Sequence, residues 1–416
     1  MPSAVSNNPL ARLAPLRQVS TISRKVSLFE YYHASVGASP HTLEGPRNLI
    51  CVVSGELDDR LQPEDWQRAI DQIVVVNPGL RLRWHGRWGF SRWVSDGPPP
   101  RLRIIDGCTW DALTSDGSDF ITEEPLSLRV GPTVEFIIAK KGNGRAFVIL
   151  RTLHAIMDGM GVIHALHELF RALRGEPLLG SNASFSDTDL MQAIDAPPNK
   201  SKHLATCWLT GDPEGDLKGD DWWRVKLGPA RKQLLAHVAV AMAEYAHQNS
   251  DLPVLIAIPI DIRRHVSNLR STTNFSSMVF VRLEKGDGAE VFQQRLLELL
   301  EMRREVAFSS ILNLIRWLPL PWVDRLLGRS EKNYRTRKPL ETFVISNLGK
   351  ADLAAMSVAS FKADDLMVFP MEGSAFGVLM SVDGEVQITL NLPRVLSSNH
   401  RAEQCIQFLQ SRLAAG

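Results

Sequence analysis

The segment Leu153-His154-Ala155-Ile156-Met157-Asp158-Gly159 holds the residue types best suited to chemistry in this 416-residue sequence. Histidine titrates near neutral pH and can take a proton from a hydroxyl or an amine, and a carboxylate four residues on can fix the local geometry by pairing with a distant cation. Gly159 permits a tight backbone turn. A histidine with a nearby aspartate is also what an ordinary loop contains, so the weight comes from its setting. Arg145 to Leu153 reads as an apolar strand, paired with Thr133 to Lys140 across Gly142-Asn143-Gly144, and it delivers His154 at its end. After Asp158-Gly159, Val162 to Leu173 has apolar residues at helical spacing and stops near Gly175.

Other catalytic signatures are missing. There is no G-x-x-x-x-G-K-[ST], no G-x-G-x-x-G after a strand and no G-x-S-x-G elbow, which removes support for ATP, NAD and serine-hydrolase chemistry. His167-Glu168 begins an H-E-x-x-H pattern, but Arg171 stands at its second histidine position. His164 and His167 lie one helical turn apart and could share a metal; two partly buried or surface histidines on an amphipathic helix is the favoured reading, and no metal is expected. The cysteines, Cys51, Cys108, Cys207 and Cys405, are far apart and form no C-x-x-C pair, so reduced thiols in a cytoplasmic protein are expected.

Charge and hydropathy exclude further classes. The 47 Lys and Arg residues against 46 Asp and Glu leave a net charge of +1, which disfavours a broad nucleic-acid binder. Residues 1–27 carry Arg12, Arg17, Arg24 and Lys25, and no apolar run reaches the length of a signal-peptide core. Ile311 to Leu327 is interrupted by Arg316, Pro319, Pro321, Asp324 and Arg325, which predicts an amphipathic surface or core segment rather than a membrane span. The tryptophans, among them Trp222-Trp223, Trp317 and Trp322, are expected mainly in the core, with the lining of an apolar channel as the alternative.

These residues need a scaffold, and the chain is long enough for two or three domains at roughly 150 residues each. Leu49 to Val53 reads as a strand. Pro63 to Val75 reads as a helix opened by proline and acids and closed by Asn77-Pro78-Gly79, and Leu80 to Trp84 as an edge strand. Gly180 to Lys202 lacks periodicity and reads as a linker, continuing irregularly through Gly211 to Gly219. Beyond it come a helix at Ala230 to His247, strands at Pro253 to Ile260 and Ser277 to Leu283, and a helix at Val291 to Val306. Strands at Thr342 to Ile345, Phe376 to Val382 and Glu385 to Leu392 precede a final helix at Asn399 to Leu413. The expectation is an α/β protein with αβ domains at 1–190 and 205–416.

The stretch His154 to Gly159 resembles the shared H-x-x-x-D-G of the superfamily that includes chloramphenicol acetyltransferase, plant BAHD acyltransferases, peptide-synthetase condensation domains and mycobacterial polyketide-associated acyltransferases. Other segments resemble family elements in order: Val26-Ser27-Leu28-Phe29-Glu30, Asn77-Pro78-Gly79-Leu80-Arg81, Pro259 to Arg264 followed by Thr273 to Ser277, and Ser346-Asn347-Leu348-Gly349. Many members carry a second histidine where this chain has Leu153, although the BAHD branch lacks it too. The resemblance implies two chloramphenicol-acetyltransferase-like domains, each a mixed sheet with helices, meeting at an active-site tunnel. It implies His154 as general base in transfer of an acyl group from a thioester, either acyl-CoA or acyl-carrier phosphopantetheine, to a small-molecule alcohol or amine. It pairs Asp158 with Arg263 as a structural contact beside Gly159. It places Asn347, and less directly Ser346, where a donor could stabilise an oxyanion, with a turn-forming role as the alternative. No tightly bound cofactor is implied, and an acyl carrier protein is an implied partner. The rival expectation is a non-catalytic condensation-like module that docks a carrier protein or partner enzyme.

Overall fold

The computed structural model describes residues 13–36, 47–194, 196, 205–215, 217–307, 310–327, 339–371 and 373–414. Their arrangement is mixed α/β, built on two large sheets. The first has five strands in the order Phe361–Pro370, Asn48–Leu57, Arg145–Leu153, Val134–Lys140, Arg101–Ile105. The second has six, in the order Ser276–Leu283, Val254–Asp261, Phe343–Lys350, Phe376–Val382, Glu385–Pro393, Asp220–Pro229. A small sheet of Ser23–Lys25, Arg92–Val94 and Arg83–His85 flanks the first.

The Gly142-Asn143-Gly144 hairpin forms as expected, with Val134 opposite Thr152 and Lys140 opposite Ala146. Pro63–Val76 is helical. Proline occupies its first turn beside Glu64 and Asp65, and the Asn77 N–H still bonds to the Ile73 carbonyl before Pro78 ends the helix. Its buried face, Trp66, Ile70 and Ile73, packs against Leu166, Leu169 and Phe170 of the helix Gly159–Leu173 over the first sheet.

Several expectations need correction. Two strands, Asp220–Pro229 and Phe361–Pro370, lie outside the expected elements, although Trp223 to Leu227 of the first alternates apolar and basic residues. The second crosses from the C-terminal half to pair antiparallel with Asn48–Leu57, so the first sheet is completed by residues outside 1–190. The stretch read as a linker contains the helix Asp187–Ala193, started by a capping box between Ser186 and Asp189. Within Leu80 to Trp84 only Arg83 and Trp84 are in a strand, because Pro78–Arg81 winds into a 3₁₀ turn. The helix expected at Ala230 to His247 is shorter, at Leu234–Ala246, and that at Val291 to Val306 is Ala289–Glu301.

The helix Leu28–Ser35 is set by charge. Ser27 and Glu30 form its capping box, and the fully buried Glu30 carboxylate accepts both terminal nitrogens of Arg24, at 2.8 and 2.5 Å. Asp187 is buried nearby, and its carboxyl is pushed up to about 7, first by burial and then by the Glu30 charge. A carboxyl raised in the folded state binds protons that the unfolded chain releases near 3.8, so its favourable neutral form is lost as pH rises toward and through 7. Asp187→Asn, which mimics the protonated acid, is expected to flatten the fall in stability between pH 5 and 8 and to add about 1 to 3 kcal/mol at pH 8. Urea unfolding across that range checks this; unchanged curves for the variant would contradict it.

Candidate active site

His154 follows the strand Arg145–Leu153 and is held at both backbone groups. Its N–H donates to the Arg47 carbonyl at 2.9 Å, and its carbonyl accepts from the Asn274 side-chain amide at 2.8 Å. The ring is half-buried and lines a cleft of about 140 Å³ at the seam of the two large sheets. Leu49, Val368 and Pro370 come to this cleft from the first sheet, and Pro259, Met278 and Phe376 from the second. The imidazole is therefore not sealed in packed side chains.

A second histidine lies on the first. The His33 ring stacks on that of His154 with centroids 4.1 Å apart and planes 9° from parallel. Arg47, itself buried, places Nη1 2.9 Å from His33 Nδ1 and its guanidinium over the Tyr32 ring at 5.0 Å. A guanidinium only donates, so Nδ1 accepts and the ring proton of a neutral His33 sits on Nε2.

Asp158 is committed elsewhere. It caps the helix Gly159–Leu173, with Oδ1 accepting from Gly161 N–H at 2.7 Å and from Arg263 Nη2 at 3.0 Å. Its Oδ2 accepts from Arg263 Nη1 at 2.9 Å and from Phe275 N–H at 2.6 Å. Four bonds on a buried carboxylate leave it no role in passing protons. Arg263 also donates to Asp261 Oδ1 and to the Thr273 carbonyl, at 2.9 and 2.6 Å. Burial by itself would lower the Arg263 pKa, but the charges of Asp158 and Asp261 outweigh it and hold the guanidinium above its ordinary value. The Asp261 carboxyl is raised, by burial first.

Gly159 lines the cleft, and the next turn shows why small residues are needed. A Cβ on Gly161 would stand 2.6 Å from the Thr272 carbonyl oxygen, and one on Gly79 2.2 Å from Thr272 Oγ1. The loop of Thr272 thus enters between Gly79 and Gly161, next to the Asp158 pair.

Ser346 and Asn347 line the cleft from the strand Phe343–Lys350. Asn347 Oδ1 accepts from Gly349 N–H at 3.0 Å, and Gly349 has φ of +76° where the strand's register shifts between Asn347 and Lys350; the same bond fixes the amide oxygen and leaves the NH₂ end as donor. His164 and His167 lie outside the cleft, and burial pulls both down, His164 to about 4. Among the described residues no group of three or more His, Cys, Asp or Glu side chains is placed to hold a metal. The four cysteines are buried free thiols. Trp222 is core, whereas Trp317 and Trp322 are exposed, contrary to the expectation for them. No described helix is long and apolar enough to cross a membrane.

His33, Arg47 and Asn274 are additions that sequence reasoning missed. Nothing local marks His33 within the helix Leu28–Ser35; only the fold brings it to His154.

No protein-family model and no curated protein matches the sequence. Solved structures do match along nearly the whole chain. The condensation domain of the Monacolin K polyketide synthase MokA superposes with a TM-score of 0.65 at 12% identity, covering 95% of this chain and 98% of that one. A variant of the starter condensation domain of rhizomide synthetase RzmA, solved with C8-CoA, gives 0.61 at 14% identity, with 95% of each chain covered. F. graminearum TRI101, solved with ethyl coenzyme A, gives 0.58 at 13% identity, covering 92% and 97%. The chain has the mixed α/β fold of these condensation domains and of TRI101.

Replacing Asp158 by Asn sets an NH₂ against the guanidinium and strands a buried charge. Asp158→Asn is expected to cost about 3 to 5 kcal/mol in urea unfolding; a loss of activity at wild-type stability would instead assign Asp158 to the chemistry.

Proposed function

We propose that this protein is an acyltransferase with His154 as general base, in which residues 1–190 and 205–416 form two αβ units and the strand Phe361–Pro370 of the second completes the sheet of the first. The single observation that carries the reading is the half-buried His154 ring at a strand exit, lining a cleft between the sheets while Asp158 is tied to Arg263. The fold shared with condensation domains and with structures solved with C8-CoA or ethyl coenzyme A supports it.

In this reading a hydroxyl or amine attacks the carbonyl carbon of a thioester while His154 takes its proton. The tetrahedral oxyanion is met by donors from Asn347 and Ser346. Collapse breaks the carbon–sulfur bond, the imidazolium returns the proton to the departing sulfur, and an ester or amide and a free thiol result. The donor is acyl-CoA or the phosphopantetheine thioester of an acyl carrier protein, entering a tunnel opposite a small alcohol or amine. The setting is cytoplasmic secondary or lipid metabolism, without metal or resident cofactor.

His154→Ala is expected to reduce thiol release from acyl-CoA or acyl-carrier thioesters by about 10²- to 10⁴-fold while leaving thermal unfolding unchanged. Retained turnover in that variant, or no thiol release by the wild type over a panel of alcohols and amines, favours a docking module that does not use its histidine.

His33 acts through His154 as a positioning residue, because the stacked ring limits rotation of the base. His33→Ala is expected to lower kcat by about 10- to 100-fold with KM little changed, and His33→Phe, which keeps a flat ring on His154, to restore most of it. Equal loss in both variants would show that stacking is not the contribution.

A further inference from the structure

Trp88, Trp317 and Trp322 are the tryptophans that are exposed among the described residues, and they occur on adjoining elements. Trp88 and Phe90, 51% and 70% exposed, lie in the turn between the strands Arg83–His85 and Arg92–Val94. The Phe90 ring meets Trp317 edge to face, centroids 5.0 Å apart, and Gly89 lies so close to the same indole that a Cβ would be 2.4 Å from it. After Pro319 the helix Leu320–Leu327 turns Val323 into the core and Trp322 and Leu326, one turn apart, outward at 67% and 66% exposure. Exposed apolar residues that are scattered singly need no explanation, but exposed aromatics in contact, as Phe90 and Trp317 are, do.

The charges beside them are mostly positive. Lys25 and Arg92 are exposed neighbours across the small sheet, Arg87 precedes Trp88, and Arg325 lies between Trp322 and Leu326. Arg87 and Arg129 are close enough that the charge of Arg87 adds to burial in pulling the Arg129 pKa down. The turn and the two helices contribute one acid, Asp324. In sequence, the chain after Leu327 continues with Arg329, Lys332, Arg335, Arg337 and Lys338 against Glu331.

We propose that Trp88, Phe90, Trp317 and Trp322, flanked by Arg87 and Arg92, form a docking surface for an anionic lipid bilayer. Indole and phenyl groups settle at the boundary of headgroups and acyl chains, and guanidinium groups beside them meet lipid phosphates. The surface is tied to the helix that carries His33 and to the residues just before it: Tyr31 donates its hydroxyl to the Leu318 carbonyl at 2.6 Å and Arg316 donates to the Val26 carbonyl at 2.6 Å.

The full chain, without thioester or acceptor, is to be sedimented with vesicles of phosphatidylcholine alone and with added phosphatidylglycerol while tryptophan emission is recorded. The expected result is binding that requires phosphatidylglycerol, weakens with salt and shifts the emission to the blue. Trp88→Ser with Trp322→Ser, and separately Arg87→Glu with Arg92→Glu, are each expected to weaken it by about tenfold or more at unchanged thermal unfolding. The charge pair carries the test if the tryptophan pair fails to fold. No wild-type binding, binding undiminished in the folded variants, or a dimer in solution abolished by the tryptophan variant without vesicle binding would overturn the proposal. None of these outcomes depends on acyl transfer, so the two readings fail separately.

Discussion

The carboxylate of Asp158 lies where three parts of the chain must meet: the loop after the strand that ends at Leu153, the first turn of the helix Gly159–Leu173, and the Asp261 to Phe275 segment of the second half. A buried anion is tolerated only when its lone pairs are filled and its charge is matched. Here two guanidinium nitrogens and two backbone N–H groups do both. The arrangement is selective because a small displacement leaves a charge stranded rather than merely weakening a contact. Asn274, next to Phe275, is carried along by the same constraint and reaches the His154 carbonyl.

This separates two tasks within six residues. Asp158 joins the halves, and His154 is left facing the cleft, steadied on one side by the stacked His33. The cleft itself exists because neither sheet closes it alone. Val368 and Pro370 reach it on a strand that leaves the second half to pair with Asn48–Leu57, and Arg224 and Gln387 of the second sheet hold that strand at Asp365 and Leu366.

Charge performs similar work elsewhere in the first half. Glu135 is fully buried on its sheet and accepts from Arg101, Arg103 and Arg151, which fastens an edge strand to the center; burial, with the neighbouring arginines adding to it, pulls Arg151 down to about 10. Glu168 accepts from Asn77 and from the N–H groups of Leu179 and Gly180, binding the ends of two helices together. These groups explain why segments rich in Ser, Asn and Gly, such as 180–182, are buried rather than trailing as linker.

Periodicity and turn chemistry are local, and what depends on them was legible: the hairpin at Gly142-Asn143-Gly144, the helix behind Pro63, the alternating order of strands and helices, and the strand, loop and helix that carry His154 and Asp158. The pairing of Asp158 with Arg263 has no local signal and is implied only by resemblance; in the fold the two guanidinium nitrogens stand 2.9 and 3.0 Å from the carboxylate oxygens. Nothing local distinguishes His33 from a helix-surface histidine, Arg47 from a solvated cation, or Phe361–Pro370 from a loop with two acids. Those were decided by the tertiary structure, because stacking between rings 121 positions apart in the chain and the filling of an open sheet edge depend on which surfaces are left to be buried once both halves have formed.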